Sequence, residues 1–547
     1  MDSFKIIKPF LYNHKITLLI YTIFILLTHP LESIIIPNLF SSLFKSLKET
    51  ISNDILFNFF KNIGILMMVT NISQIICSKI DSYMMPRFNE YVTNYLFEKI
   101  LYFYEDNYAD LELGKILARL NALPTILREL STDLFNWVIP KLFTIIIINF
   151  YFFYYDTTLG LISFMFIISL GYYNFNKYKK CIDLSTAKYL SLENKAESIQ
   201  DKLSNLYSIF SSSKVNDEIT DFKKISESFR QDQENALLCS NKLKNNNNVA
   251  TLIFFIIVLS YIAYIFNNNK IDQETLVKLY MILMTYVPCL NTIVIYLPDY
   301  TNHMGILYSI NNYVKLINID NSKNSKPDII ISDGKINVTN LTFGYTKEKN
   351  IFDNFNLLIN PNQKIVIIGP SGNGKSTLIK LIMGYFKVPN NTIFIDNQDI
   401  NKYNLCSLRK QISFINQNTK LFNKSIYENI QYGTNLSKAE IDKLIQKYNL
   451  SSVFNNINGF NTNVGVNGDS LSGGQKQIIQ LLRCYKKNNK IIILDEPTSA
   501  LDDNTKVIIN NIIKKISKNS TLIIITHDTS NLDLSDTTIK IQNGQII

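Results

Sequence analysis

Six stretches of this chain are each about twenty residues long, nearly free of charge and built mainly from Ile, Leu, Phe and Tyr. They lie near 16–40, 55–76, 134–155, 159–175, 249–266 and 276–297. A helix needs about 20 apolar residues to cross a hydrocarbon core, where no water is present to satisfy exposed backbone groups. The expectation is an all-α, six-helix transmembrane domain over residues 1–320, followed by a connector at 321–333 and a second domain at 334–547. Of the 18 glycines, 13 fall from Gly334 onward, which separates an apolar helical half from a loop-rich one. The opening residues resemble a secretory signal, but the apolar run continues too far and residues 28–31 lack small cleavage-site residues. We read it as a retained first span.

The spacing between the spans is uneven. Long polar stretches separate the second from the third and the fourth from the fifth, and they carry Lys177, Lys188, Lys195, Lys202, Lys223, Arg230 and Lys244 among others. By the positive-inside bias these stretches are cytoplasmic. Interleaved acids such as Glu105 and Glu112 make them mixed-charge helices, so the spans are expected to continue as long cytoplasmic helical extensions. Glu32 has two readings, an intramembrane site or an interfacial residue. From an entry near Ile16 it lies about 24 Å along the helix, which favours the far headgroups.

Composition excludes more than it assigns. The bias toward Ile, Asn, Lys, Tyr and Phe reads as the imprint of an AT-rich genome, and the four asparagines at 245–248 fit it. The net charge of +10 follows from lysine usage and cytoplasmic loops, so no nucleic-acid partner is expected. Cys77, Cys181, Cys239, Cys289, Cys406 and Cys484 show no CxxC spacing, and neither a zinc site nor a disulfide framework is suggested.

The second half carries the chemistry. The β-branched run at 365–368 ends in Gly369, Pro370, Ser371, Gly372, Asn373, Gly374, Lys375 and Ser376, with Thr377 opening a helix. This matches GxxxxGK[ST], in which backbone N–H groups wrap phosphates, the lysine reaches the outer phosphates and the hydroxyl ligates magnesium. ATP and Mg2+ are the expected cofactors. A second buried strand at 491–494 delivers Asp495 and Glu496. Asp495 suits magnesium, and Glu496 suits polarising a water for in-line attack on the terminal phosphate. A third strand at 522–525 ends near His527, placed to orient that water or the phosphate.

Between these strands stand Leu471, Ser472, Gly473, Gly474 and Gln475. Alone, SGG before a helix is an ordinary N-cap signal. Together with the preceding motifs, LSGGQ resembles the signature of the ABC transporter family, and the resemblance covers nearly the whole chain. The resemblance implies an α/β P-loop ABC nucleotide-binding domain, with Tyr345 stacking on adenine and Gln417 sensing magnesium. It likewise implies that the loop to Asp502 follows the two carboxylates. It further implies that Ser472, Gly473, Gly474 and Gln475 close the nucleotide site of a partner chain, so that the protein works as a dimer of half-transporters. A homodimer would own two competent sites, and a heterodimer is the alternative. Six spans preceding the nucleotide domain look like an exporter, embedded in the bilayer with its nucleotide-binding domain in the cytoplasm.

In that family residues 102–130 and 204–222 correspond to loops that dock on the nucleotide domains. Exporters often have Thr-x-Val-Gly-Glu before the signature, whereas this chain has Val466 in the last place, which puts coupling in question. The rival expectation is therefore an ATP-gated regulator or channel. The transported substrate is not written in these motifs.

Overall fold

The computed structural model describes residues 2–46, 53–105, 112–318, 326–345, 349–417, 420–434, 436–454, 457, 459–485, 489–498, 501–527 and 534–547. The side chain of Glu32, connector residues 321–325, and Ser499 and Ala500 before Asp502 lie outside the described residues. The chain separates into two compact units, one of Met1–Tyr104 and Ala109–Ile319 and the other of Glu105–Tyr108 and Asp320–Ile547.

The first unit is helical: α1 Asp2–Asn13, α2 Lys15–Ser46, α3 Asn53–Tyr104, α4 Leu113–Thr132, α5 Ile139–Tyr155, α6 Thr157–Ser204, α7 Leu206–Ser211, α8 Val215–Asn267, α9 Gln273–Ile295 and α10 Leu297–Asn318. Among the described residues five helices are long and apolar enough to cross a membrane. A sixth counts if Lys5–Asn13 and Lys15–Leu26, bent by 89°, form one span. Helices α3, α6 and α8 have 52, 48 and 53 residues. At 1.5 Å per residue each is more than twice as long as a bilayer core of about 30 Å, so the apolar spans do run on as polar helices. On α3 Phe57, Phe60, Met68 and Ile75 are exposed, as are Val249, Leu252 and Ile256 on α8. A patch of this kind is unstable in water and matches lipid.

Two expectations change at the α6–α8 pair, which runs antiparallel. The side-chain amides of Asn174 and Asn247 exchange hydrogen bonds of 3.2 and 2.8 Å, and Asn246 donates to the Tyr173 hydroxyl at 2.7 Å. Asn247 is 1% exposed. At least two of the four asparagines are therefore structural and not mere genomic bias, because an unpaired amide between helices costs more than a paired one. In the same register Cys181 and Cys239 form a disulfide, which the spacing of single cysteines did not suggest. Elsewhere Glu193, 2% exposed, receives the Arg119 guanidinium through two bonds of 2.7 Å, and that guanidinium also lies over the Tyr313 ring. This fork ties α4, α6 and α10 together and keeps the buried carboxylate paired.

The second unit is α/β. Strands β1 Ile336–Phe343, β2 Phe352–Ile359, β4 Ile393–Ile395 and β5 Gln398–Asp399 form an antiparallel sheet in the order β2-β1-β4-β5. Strands β3 Lys364–Ile368, β6 Ile412–Ile415, β7 Ile491–Asp495, β8 Thr521–Ile525, β9 Thr537–Gln542 and β10 Gln545–Ile546 form a second sheet ordered β10-β9-β3-β8-β7-β6, parallel except for β10. Its central strands β3, β8 and β7 are almost unbroken apolar runs because both faces are covered, whereas β9 and β10 at the edge are polar and largely exposed. Ile365, Ile367, Ile491, Ile493, Ile523 and Ile525 enter one core, while Val366, Ile492, Leu494, Leu522 and Ile524 enter the other. Each such buried side chain contributes about 1.5–3 kcal/mol relative to exposure. This sandwich holds the carboxyl ends of four neighbouring strands rigidly side by side.

Candidate functional site

At the end of β3 the chain turns through Gly369, Pro370, Ser371, Gly372, Asn373 and Gly374 into the helix α11 Lys375–Ile382. Gly374 has φ +89°, and a β-carbon there would lie 2.7 Å from Ile351 Cγ2 and 2.8 Å from the Phe352 ring, so this position admits only glycine without rearrangement. Asn373 fastens the loop, donating to Pro370 O at 3.0 Å and accepting from the Asn543 N–H at 2.9 Å. Lys375 is 6% exposed and folds back so that its ammonium donates to Gly369 O at 2.7 Å and Pro370 O at 2.9 Å. Burial lowers its pKa, against the pull of nearby Glu496 and Asp495. The loop thus encloses a positive charge beneath a helix N-terminus.

The adjacent strands bring the counter-charges. Asp495, 5% exposed at the end of β7, has its carboxyl pushed up by burial, while a hydrogen bond with Ser376 acts in the opposite sense. The next residue, Glu496, adopts φ +50°, a region costly for a residue with a β-carbon, and is held there by its N–H donating to Ile525 O at 2.8 Å. From that turn the Glu496 carboxylate meets side chains at neighbouring strand ends. Gln417, just past β6, donates to Glu496 Oε2 at 2.6 Å, and His527, just past β8, has Nε2 3.6 Å from Glu496 Oε1. Four strands therefore converge on one carboxylate and one lysine, at the edge where open α/β sheets bind ligands.

The remaining predicted residues lie around this centre in different ways. Tyr345 is 53% exposed; its hydroxyl shares a 3.1 Å hydrogen bond with Thr377, and its ring meets Phe386 edge-on. Ser472 caps the helix Gly473–Cys484 in a reciprocal capping box with Gln475. The modest N-cap reading of SGG is thus correct as far as it goes. Gln475 is 3% exposed and also donates to Val453 O, so it faces the interior of its own unit. Gly473 has open space where a side chain would stand, whereas Gly474 faces Leu501 and Thr505 closely. Asp502 caps the helix Asp503–Ile516 by accepting from the Thr505 N–H at 3.0 Å, and hydrogen bonding from the Thr505 side chain and from this N–H lowers its pKa. Val466 is 63% exposed.

Sequence reasoning missed Gln477, whose side chain donates to Glu496 O at 3.4 Å and ties the Ser472-capped helix to the turn that presents Glu496. Only its place one turn inside that helix could have pointed to it.

Comparison with known proteins agrees with this geometry. Residues 16–304 match the model of the ABC transporter transmembrane region, and residues 352–499 match that of the ABC transporter. The chain is 38% identical over 250 residues to the mitochondrial iron-sulfur clusters transporter ATM1 of Debaryomyces hansenii, covering 44% of this chain and 36% of that protein. It is also 38% identical over 218 residues to the ATP-dependent lipid A-core flippase of Wigglesworthia glossinidia brevipalpis, covering 39% of this chain and 38% of that protein. The chain thus spans little more than a third of the length of these relatives. A solved bacterial Atm1-family ABC exporter with ATP bound superposes with a TM-score of 0.88, covering 97% of this chain and 94% of that one at 18% identity, a likeness of fold.

Proposed function

The chain belongs to the ABC transporter family, and from that premise we propose that it hydrolyses ATP to export a solute across a membrane, as a pair of half-transporters. The observation that carries this reading is the convergence of Gln417, Glu496 and His527 beside Lys375 and Asp495. The loop N–H groups and Lys375 bind the ATP phosphates, the ammonium exchanging loop carbonyls for phosphate oxygens. Ser376, Asp495 and Gln417 are the oxygen donors suited to magnesium, a hard cation that neutralises developing phosphate charge when bound. Glu496 takes the proton of the attacking water, and His527 and Gln417 hold the carboxylate and the water in line. Tyr345 offers a face to the adenine.

Ser472 and its neighbouring glycines close the site of a second copy, and closure of the pair drives the helices between inward and outward access. The cargo is a solute not identified by these motifs. Exposed Val466, where exporters often carry glutamate, favours one second reading, a regulator or channel gated by ATP.

In lipid nanodiscs, Glu496→Gln is expected to keep ATP binding and lose turnover by about 10²–10⁴-fold. Retained turnover would refute the assignment of the base, and turnover without uphill accumulation of any solute in vesicles would favour the gated reading. Ser472→Ala is expected to slow turnover, and chains carrying Ser472→Ala paired with Lys375→Ala chains should leave one competent site and one doubly disabled site. Two equally impaired sites in that mixture would show that Ser472 serves its own chain.

A further inference from the structure

The segment just after Gln417 is clamped to the Ser472-capped helix at both of that helix's ends. On the approach to Ser472, Leu421 and Ser425 form antiparallel bridges with Asn467 and Asn463, and the Val464 N–H donates to Lys424 O at 3.0 Å. At the far end of the helix Gly473–Cys484, Arg483 reaches back to Asn429, which lies on the helix Ile426–Gln431 and is 0% exposed. Between the two clamps Leu421, Ile426 and Ile430 share one apolar core with Ile478, Ile479 and Leu482.

Asn429 is the hub of this body. Its Oδ1 accepts from the Phe422 N–H at 3.0 Å and from Arg483 Nη2 at 2.9 Å, its Nδ2 donates to Phe422 O at 2.9 Å, and its backbone O accepts from Arg483 Nε at 2.7 Å. These partners fix the orientation of the amide, because exchanging its ends would set N–H against N–H and oxygen against oxygen. The Arg483 guanidinium lies 5.5 Å from the centre of the Tyr432 ring. Burial pulls its pKa down, and among the described residues it forms no ion pair. A partly buried cation without a counter-ion costs stability, which its hydrogen bonds must offset. Here the planar fork places two donors on one residue, a geometry that a lysine ammonium cannot copy.

We propose that Arg483 and Asn429 are positioning residues that join the Ser472-capped helix to the chain leaving Gln417, so that the state of one nucleotide site sets the placement of Ser472 at the partner's. Both act through Ser472 and not on the nucleotide. The inference rests on the reading that Ser472 closes the site of a second copy.

The test uses mixed dimers of full-length chains in lipid nanodiscs, isolated through two different tags. In one arrangement Arg483→Lys and Lys375→Ala sit on opposite chains, and in the other both sit on one chain opposite wild type. Arg483 acting through Ser472 in trans leaves a sound site in the first arrangement and burdens the only live site in the second, which should turn over ATP about tenfold more slowly. Ser472→Ala in the same two arrangements sets the reference order. Arg483→Lys following that order supports the proposal, and equal rates or the opposite order overturn it. If Ser472→Ala itself shows the reverse order, closure in trans fails, while Arg483→Lys following the reversed order still upholds the positioning role. Hydrogen exchange gives a second readout that needs no turnover. In wild type the amides of 421–431 and 473–484 should open together with one free energy, and Arg483→Lys should separate the two segments severalfold in rate while leaving 375–382 unchanged. Segments that open separately in wild type, or that stay together in the variant, overturn the proposal. If the lysine variant fails to fold, Arg483→Gln, which keeps a donor without the fork or the charge, takes its place.

Discussion

The two units both rely on Ile and Leu yet arrange them in opposite ways. In the nucleotide-binding unit the apolar residues alternate into two cores on either side of a parallel sheet, and polar groups are left for the strand ends. In the helical unit apolar side chains point outward along much of each span, and buried polar pairs such as Asn174 with Asn247 and Arg119 with Glu193 lie between helices. The difference teaches that an exposed aliphatic side chain means different things on the two sides of this chain. In water it is ordinary surface, and in lipid it is what keeps the helix in place.

The largest effect follows by testing the same change in both places. Ile256 on α8 and Val507 on the helix Asp503–Ile516 are 54% and 60% exposed. Ile256→Lys should cost about 3 kcal/mol of insertion free energy, because a charge near the middle of a span faces hydrocarbon. Val507→Lys should stay within about 0.5 kcal/mol, as for ordinary surface substitutions. Insertion assays for the first and thermal unfolding for both provide the comparison. Equal costs would mean that α8 is not lipid-facing at Ile256 and would break the contrast.

A middling effect sharpens the contrast from the nucleotide side, where polar groups are buried for use and not for packing. Burial raises the Asp495 pKa, so the folded unit holds its proton more tightly than the unfolded chain does. The stability this brings is fully present below the ordinary carboxylate pKa and is lost as pH rises through the raised one, leaving a cost near neutrality. Asp495→Asn keeps an acceptor for Ser376 and removes that cost. Without nucleotide it should therefore stabilise by about 1 kcal/mol near pH 7 and lose the advantage in acid, while magnesium-dependent ATP binding weakens. Calorimetry across pH reads both signs, and a variant less stable at neutral pH would show that Asp495 is structural.

What could be read from the sequence divides along the same line. Six spans and the loop from Gly369 to Ser376 are local patterns, in which hydropathy or residue order alone states the physics. The chain also shows Asp495 and Glu496 at a strand end, but not the left-handed turn at Glu496. Gln477 reaches Glu496 O only because a helix and a strand meet in three dimensions. The Cys181–Cys239 disulfide is likewise a product of register between distant segments, which spacing along the chain does not encode.

The smallest effect concerns the asparagines at 245–248, where composition and structure give rival accounts. Because Asn247 and Asn174 exchange two hydrogen bonds, removing either should leave the other amide unsatisfied between α6 and α8. A double-mutant cycle of Asn174→Ala and Asn247→Ala, read by thermal unfolding in nanodiscs, should give a coupling near 0.6 kcal/mol and not above about 1.7. Asn248→Ala belongs to the same run and forms no hydrogen bond to Asn174, so it should add independently to either change. Coupling at 247 with additivity at 248 would show a run drawn from genomic bias in which individual members have been put to use. Zero coupling at 247 would return that residue to bias and remove the polar pair from the comparison of the two units.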